Sequence, residues 1–195
     1  MMARHATAAT HHPAMSTPAE RLYLNRLGLW LFILSESCLF AAFLWARFYL
    51  LGVQRPPELN QALGLGISLL LLLSSLTAYR AETSIHYGSV AGLLRNTAAT
   101  IGLGGLFLIG VGLEWAEALQ HFPPSTLFGT VFFSLTGLHA LHVLSGIALL
   151  ALVYWNGRRG RYGPANAWAV EGAVKYWHLV DVAWVFIYPT LYLVG

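Results

Sequence analysis

Long apolar stretches separated by short polar ones run through most of the chain. Five of them meet the requirement of about 20 residues for a helix that crosses a bilayer core of about 30 Å. They are approximately 22–51, 61–79, 97–115, 126–155 and 173–194. Their apolar positions are continuous, without the alternation of a barrel strand, and backbone groups in lipid must bond within their own segment. The pattern therefore predicts an all-α, polytopic membrane protein with five transmembrane helices.

The segments between these stretches have the composition of loops. Residues 54–57, 122–125 and 156–160 are rich in Gly, Pro, Asn and Ser, which favour turns. Residues 1–20 contain almost no large apolar side chain, so we predict a flexible N-terminal tail there. Residues 21–195 then form one transmembrane domain, whose first helix is expected to be an uncleaved span.

Composition agrees with a membrane protein. The chain is 57% hydrophobic and 10% charged, which leaves too little polar surface to cover a soluble globule of this size. Its single cysteine, Cys38, can build neither a disulfide framework nor a cysteine-rich metal site. The net charge of +3 comes from basic residues scattered singly around the apolar stretches, so no nucleic-acid partner is predicted.

The basic residues predict an orientation. With five spans, only Arg47 and Arg55 fall on one side of the membrane. The other nine fall on the opposite side: Arg4, Arg21, Arg26, Arg80, Arg95, Arg158, Arg159, Arg161 and Lys175. Because basic loops stay inside, we predict a cytoplasmic N-terminus and a C-terminus on the outer face.

Ionisable residues inside the apolar stretches are the first candidates for function. An acid at the centre of a membrane helix costs about 2.5–3.5 kcal/mol, so it persists where a neighbour, a cavity or a function compensates. Glu36 lies near the middle of the first stretch, and we expect either a neutral acid or a carboxylate held by a nearby donor. Packing between two helices and contact with lipid, a proton or a partner both remain open for it.

His139 and His142 lie three residues apart in the fourth stretch, so both could face one ligand or one carboxylate. Two ligands are too few for a closed zinc site, and a haem would need an axial partner on another helix. We therefore predict no metal site, and favour hydrogen bonding between helices or contact with a lipid headgroup.

The fifth stretch carries the most distinctive polar pattern. Trp177, His178, Asp181 and Trp184 recur at steps of three or four, so they share a face, and Asp181 could accept a hydrogen bond from His178. An aromatic belt at the membrane interface would explain Trp177, but not an aspartate one turn deeper. We favour contact with a neighbouring subunit or a lipid headgroup.

Three further acids are secondary candidates. Glu114 and Glu117 flank Trp115 at the outer end of the third stretch, where solvated side chains are the default interpretation. Glu171, near Lys175, is expected to form an ion pair at a helix end, which contributes little to stability. Small residues at Ala98, Gly102, Gly105 and Gly112 predict a face of the third helix that a neighbouring backbone approaches closely.

These residues resemble those of subunit III of the haem-copper oxidases, which include cytochrome c oxidase and the bacterial quinol oxidases. The matching segments are SESCLFAAFLWARFY from Ser35, GLEWAEA from Gly112, FFSLTGLHALHVLSG from Phe132 and VEGAVKYWHLVDVAWVFIYPTLYLVG from Val170. Longer members of that family have two additional N-terminal helices, so the chain is similar to a five-helix form. Residues 77–82 depart from the family pattern of a Trp and paired His.

The resemblance implies a V-shaped bundle in a bacterial inner membrane, whose cleft holds phospholipid and which supports proton uptake and the durability of subunit I. It also implies that this chain has no catalytic residue and binds no redox cofactor, with haem and copper held by partner subunits I and II. Glu36 matches the carbodiimide-reactive glutamate of the family. Contacts with other respiratory complexes are compatible with such a role.

Three alternatives stay open from the residues alone. The first is an accessory subunit of nitric oxide reductase, from the same family. The second is an independent proton or ion carrier that uses Glu36, although no internal repeat or broken helix supports it. The third is a b-type cytochrome that uses His139 or His142, which predicts haem absorbance in the purified chain.

Overall fold

The computed structural model describes residues 17–53 and 59–194, which form five α-helices and a short π-helical turn. The helices are α1 (Pro18–Leu51), α2 (Gln61–His86), α3 (Val90–His121), α4 (Leu127–Arg158) and α5 (Trp168–Tyr188), and the π-helical turn is Pro189–Leu193. The all-helical prediction is confirmed. Residues 1–16 of the predicted tail and the predicted loop at 54–57 lie outside the described residues.

Each helix extends beyond the apolar stretch that predicted it at one end or at both. Thr17 caps α1: its side chain accepts from the backbone N–H of Glu20 at 3.2 Å, and Glu20 accepts from the N–H of Thr17 at 2.6 Å. Residues 18–20 of the predicted tail therefore belong to α1. The side chains of Asn60, Ser89 and Thr126 each accept one backbone N–H and cap α2, α3 and α4, without the reciprocal bond.

Four of the described helices, α1 to α4, are long and apolar enough to cross a membrane. Helix α5 is not among them, because its 21 residues include Glu171, Lys175 and Asp181. The fifth span therefore stays a prediction.

Helices α2, α3, α4 and α5 pack in a ring, in which α2 contacts α3 and α5, and α4 contacts the same two helices. Helix α1 lies outside this ring against α4 and α5, and only Phe40 and Arg47 along it are buried. Polar residues of α1 can therefore meet those of α4 and α5 on the outer surface of the ring.

The close approach at α3 uses a different face from the predicted one. A Cβ added at Gly102, Gly105 or Gly112 would meet no atom within 4 Å, so the predicted stripe borders open space in the described structure. A Cβ at Gly104 would instead lie 2.6 Å from Trp177 Cη2, and one at Gly110 would clash with Ile67. Residues 101–113, in the middle of α3, are apolar on every side, so the sequence pattern does not show which face meets the neighbouring helices.

Candidate functional site

Glu36 and His142 join α1 to α4. The Oε2 atom of Glu36 lies 3.1 Å from Nε2 of His142, and the two side chains are 19% and 14% exposed. This contact agrees with hydrogen bonding between two helices, one of the two interpretations left open for Glu36. Since lipid offers no competing hydrogen bonds, this contact holds α1 against the ring.

The other ring nitrogen of His142 determines where the proton lies. Nδ1 of His142 is 2.8 Å from the backbone oxygen of Leu138, and a carbonyl oxygen can only accept, so Nδ1 carries a hydrogen. In the neutral imidazole Nε2 is then an acceptor, and Glu36 must supply the hydrogen. The alternative is a carboxylate against a doubly protonated ring. Either way one proton lies between the two groups and the pair has no net charge.

An apolar groove begins beside this pair and runs between α1, α4 and α5. Its volume is about 680 Å³. Phe32, Leu149 and Gly172 are among the residues that line it, and Ser145 and Tyr176 add hydroxyl groups. These two hydroxyls lie 2.6 Å apart and bond to each other, so they add little free polarity to the wall.

His139 does not join His142 at Glu36. Its side chain is fully buried, with ring centroids 4.8 Å from Trp184 and 5.5 Å from Phe107. Neither ring nitrogen has a hydrogen-bond partner among the described residues. Three residues along a helix rotate a side chain by about 60°, which is enough to turn one histidine toward α1 and the other into the ring.

Two indole groups of α5 bond to serines of α2. Nε1 of Trp177 donates to Ser74 Oγ at 2.9 Å, and Nε1 of Trp184 donates to Ser68 Oγ at 2.8 Å. Both tryptophans are almost fully buried. The sequence analysis missed these serines, although hydroxyl groups within a run of leucines were a signal for contacts between helices.

We expect Ser74→Ala to lower the free energy of unfolding by about 1–3 kcal/mol, because the indole N–H of Trp177 would stay buried without an acceptor. The thermal midpoint of the purified chain in detergent measures this. Ser37→Ala is the matched control, since Ser37 is exposed and, within the described part of the chain, bonds only to Ile33 O of its own helix, at 2.7 Å. Equal midpoints for the two variants would contradict the assignment.

His178 and Asp181 lie near one another, but the expected hydrogen bond between them is not formed. Nδ1 of His178 is 3.9 Å from Asp181 Oδ2, whereas Ser75 Oγ is 2.8 Å from the same nitrogen. The carboxyl oxygens of Asp181, which is 5% exposed, have no hydrogen-bond partner among the described residues. In the triad of serine hydrolases, the serine and the aspartate bond to opposite nitrogens of the histidine ring. Ser75 and Asp181 both lie on the Nδ1 side of His178, so these three residues do not form such a triad.

Of the three secondary acids, Glu117 and Glu171 lie as expected and Glu114 does not. Glu114 is buried, at 3% exposed, and accepts a hydrogen bond from the hydroxyl of Tyr192, so the solvated interpretation was wrong for it. Glu117 is exposed, as expected. Glu171 lies 4.0 Å from Lys175 Nζ and 3.3 Å from Arg26 Nη2, which confirms the ion pair and adds a link to α1.

Apolar helices that bury paired polar side chains define an integral membrane protein of several spans. The family described as Cytochrome c oxidase subunit III matches residues 2–195. The chain is similar to cytochrome c oxidase subunit 3 of Corynebacterium diphtheriae, with 30% identity over 96% of this chain and 99% of the relative. It is also 33% identical to that of Synechocystis, over 87% and 76% of the two chains. The corresponding Gallus gallus protein is 34% identical over 98% and 76%. The chain belongs to the cytochrome c oxidase subunit III family, which confirms the resemblance.

Proposed function

We propose that this chain is a non-catalytic subunit of a bacterial haem-copper terminal oxidase, in which oxygen reduction is coupled to proton pumping. Family membership implies a multi-subunit oxidase. In this proposal subunits I and II hold the haem and copper, and the chain supports proton uptake and the stability of subunit I. It lies in the inner membrane with its N-terminus in the cytoplasm, and α5 with the π-helical turn forms the fifth span.

We further propose that the groove between α1, α4 and α5 holds phospholipid. The observation that carries this proposal is the groove itself, because an open apolar channel of about 680 Å³ along a membrane helix suits an acyl chain. The net-neutral pair of Glu36 and His142 lies beside it, so no unpaired charge opposes an apolar guest. In a V-shaped arrangement this groove would be part of the cleft.

The assembly is tested by extracting membranes that contain a tagged chain in mild detergent. We expect the chain to copurify with haem absorbance and with peptides of subunits I and II. A chain that migrates alone contradicts the proposal, and one that copurifies with nitric oxide reductase supports the alternative complex. Proton flux that depends on Glu36, in liposomes containing only this chain, would support an independent carrier.

The groove is tested by Gly172→Leu. A Cβ at Gly172 would meet no atom within 4 Å, so the larger side chain enters the groove without displacing the helix backbone. We expect less phospholipid per chain after purification, measured as organic phosphorus and by mass spectrometry. Gly66→Leu on α2 is the control, because that site is equally open and does not line the groove. Equal phospholipid in both variants would contradict the location.

A further inference from the structure

A second groove follows the seam between α1 and α5, apart from the lipid groove between α1, α4 and α5. It consists of two adjoining depressions of about 330 and 250 Å³, whose walls share Ser37, Leu179 and Val182. Among the described residues, none that lines this second groove also lines the lipid groove. The two grooves are therefore separate surfaces, and they can have different occupants.

His178 brings a polar atom to the surface of the second groove. Its side chain lines the groove and is 35% exposed, and its Nδ1 lies 2.8 Å from Ser75 Oγ. Its Nε2 has no hydrogen-bond partner among the described residues, and this atom is not buried. The outer surface of the bundle therefore presents an accessible, unpaired ring nitrogen beside the groove.

The depth of His178 in the membrane limits what can satisfy this nitrogen. His178 is the eleventh of the 21 residues of α5, so it lies about 15 Å along the axis from either end of the helix. In the proposed orientation this position is near the middle of the bilayer, where acyl chains offer no hydrogen bond. An ionisable side chain at that depth is costly unless it pairs with protein or water.

The charges in the wall argue against a phospholipid headgroup as the partner. Lys175 is the only lysine or arginine among the described residues that line the second groove. Its Nζ lies 3.4 Å from Glu82 Oε1 and 4.0 Å from Glu171 Oε2, so its charge is already balanced within the chain. A phosphate would meet two carboxylates there, and the ammonium group that could bind it is already paired.

The remaining wall of the second groove suits a helix. Ser37 and Ala41 lie four residues apart on α1, and small side chains at that spacing let another backbone approach closely. Val182 and Phe186 have the same spacing on α5, and they are 53% and 58% exposed. A helix packed against both rows would cover these apolar side chains and could bring a polar group to the depth of His178.

We propose that the second groove is the docking surface for a membrane-spanning helix of a partner oxidase subunit, whose hydroxyl or amide side chain bonds to Nε2 of His178. This docking rests on the proposed function, because it requires a multi-subunit oxidase. A hydroxyl or an amide serves both tautomers of the ring, since each group can donate and accept a hydrogen bond.

The first test places the photoreactive residue p-benzoylphenylalanine at Val182 of the tagged chain and irradiates intact membranes before extraction. Val182 lines both depressions, and Leu106, which is 51% exposed on α3 across the ring, carries the same probe as the control. We expect the probe at Val182, and not the one at Leu106, to capture a peptide from a membrane-spanning segment of an oxidase subunit. Lipid adducts alone at Val182, or equal capture of that peptide at both positions, would overturn the docking surface.

The second test measures the role of His178 as the haem that copurifies with each tagged chain. His178→Phe keeps a ring without nitrogen, and we expect roughly fivefold less haem per chain, the order of one lost hydrogen bond. His178→Gln can still donate and accept, so it should retain most of the haem. Ser75→Ala is the matched control, because it removes the internal partner of Nδ1 and leaves the groove unchanged. Normal haem with His178→Phe, or an equal loss with Ser75→Ala, would show that Nε2 bonds to no partner helix.

Failure of the docking surface is distinguishable from failure of the proposed function. If the parent chain copurifies with no haem, the proposed oxidase is wrong, and the docking surface is wrong with it. If the parent copurifies with haem but the probe at Val182 captures only lipid, the oxidase stands and the docking surface alone is wrong.

Discussion

Replacing Trp177 by alanine is expected to lower the free energy of unfolding by about 3–5 kcal/mol, the range observed for large aromatic side chains removed from a core. The side chain is fully buried, and its ring fills the space left by two glycines. Cβ atoms built at Gly104 and Gly146 would lie 2.6 and 2.8 Å from it. Alanine would leave a cavity between α3 and α4 and would remove the donor to Ser74.

The measurement is the denaturation midpoint of the purified chain in detergent, followed by near-ultraviolet circular dichroism. Trp45→Ala is the matched control, because Trp45 is 74% exposed on α1. We expect that variant to stay within about 0.5 kcal/mol of the parent, as for most surface substitutions. If Trp45→Ala lowered the free energy of unfolding as much as Trp177→Ala, the burial of the Trp177 indole would not be the cause of the loss.

The apolar stretches were sufficient to predict five helices because each is long and continuous. Their ends were less predictable: α2 continues to His86 and α3 to His121, where polar residues extend the helix. The inward face of α3 was not predictable either. In a soluble helix the polar face identifies the outside, but Gly104 and Gly105 lie in equally apolar surroundings, and only the first meets Trp177.

The candidate site, like the fold, was predictable from the sequence only in part. Glu36 was identifiable from its cost in lipid, and its need for a partner followed from the same argument. The sequence did not show which histidine would contact Glu36, since His139 and His142 are only about 60° apart around α4. The position of α1, outside the ring, makes His142 the partner.

Two polar contacts were beyond the sequence patterns because they join distant segments. Ser75 replaces Asp181 as the hydrogen-bond partner of His178, across 103 positions of the chain. Tyr192 bonds to Glu114 across 78 positions. Steps of three or four identify neighbours on one helix only, so a partner on another helix required the packing of the helices.

Glu36→Lys is expected to reduce the yield of the membrane-inserted chain and of its complex strongly, and far more than Glu36→Gln does. Two effects add. The pair with His142 has no net charge, and lysine would add a positive charge at a depth where the insertion cost is about 2.5–3.5 kcal/mol. The ammonium group of the introduced lysine would also lie next to the imidazole of His142, and two positive charges at that distance would repel each other.

Glu36→Gln is the matched control, because it keeps the size and removes the possibility of charge. The amide N–H of glutamine can donate to Nε2 of His142, as a neutral glutamic acid would across the same 3.1 Å. We therefore expect near-normal yield of the complex, measured by quantitative immunoblotting of membranes and by haem absorbance of the purified complex. A glutamine variant that failed to insert would show that the pair requires a carboxylate and a doubly protonated histidine, because an amide cannot form that ion pair.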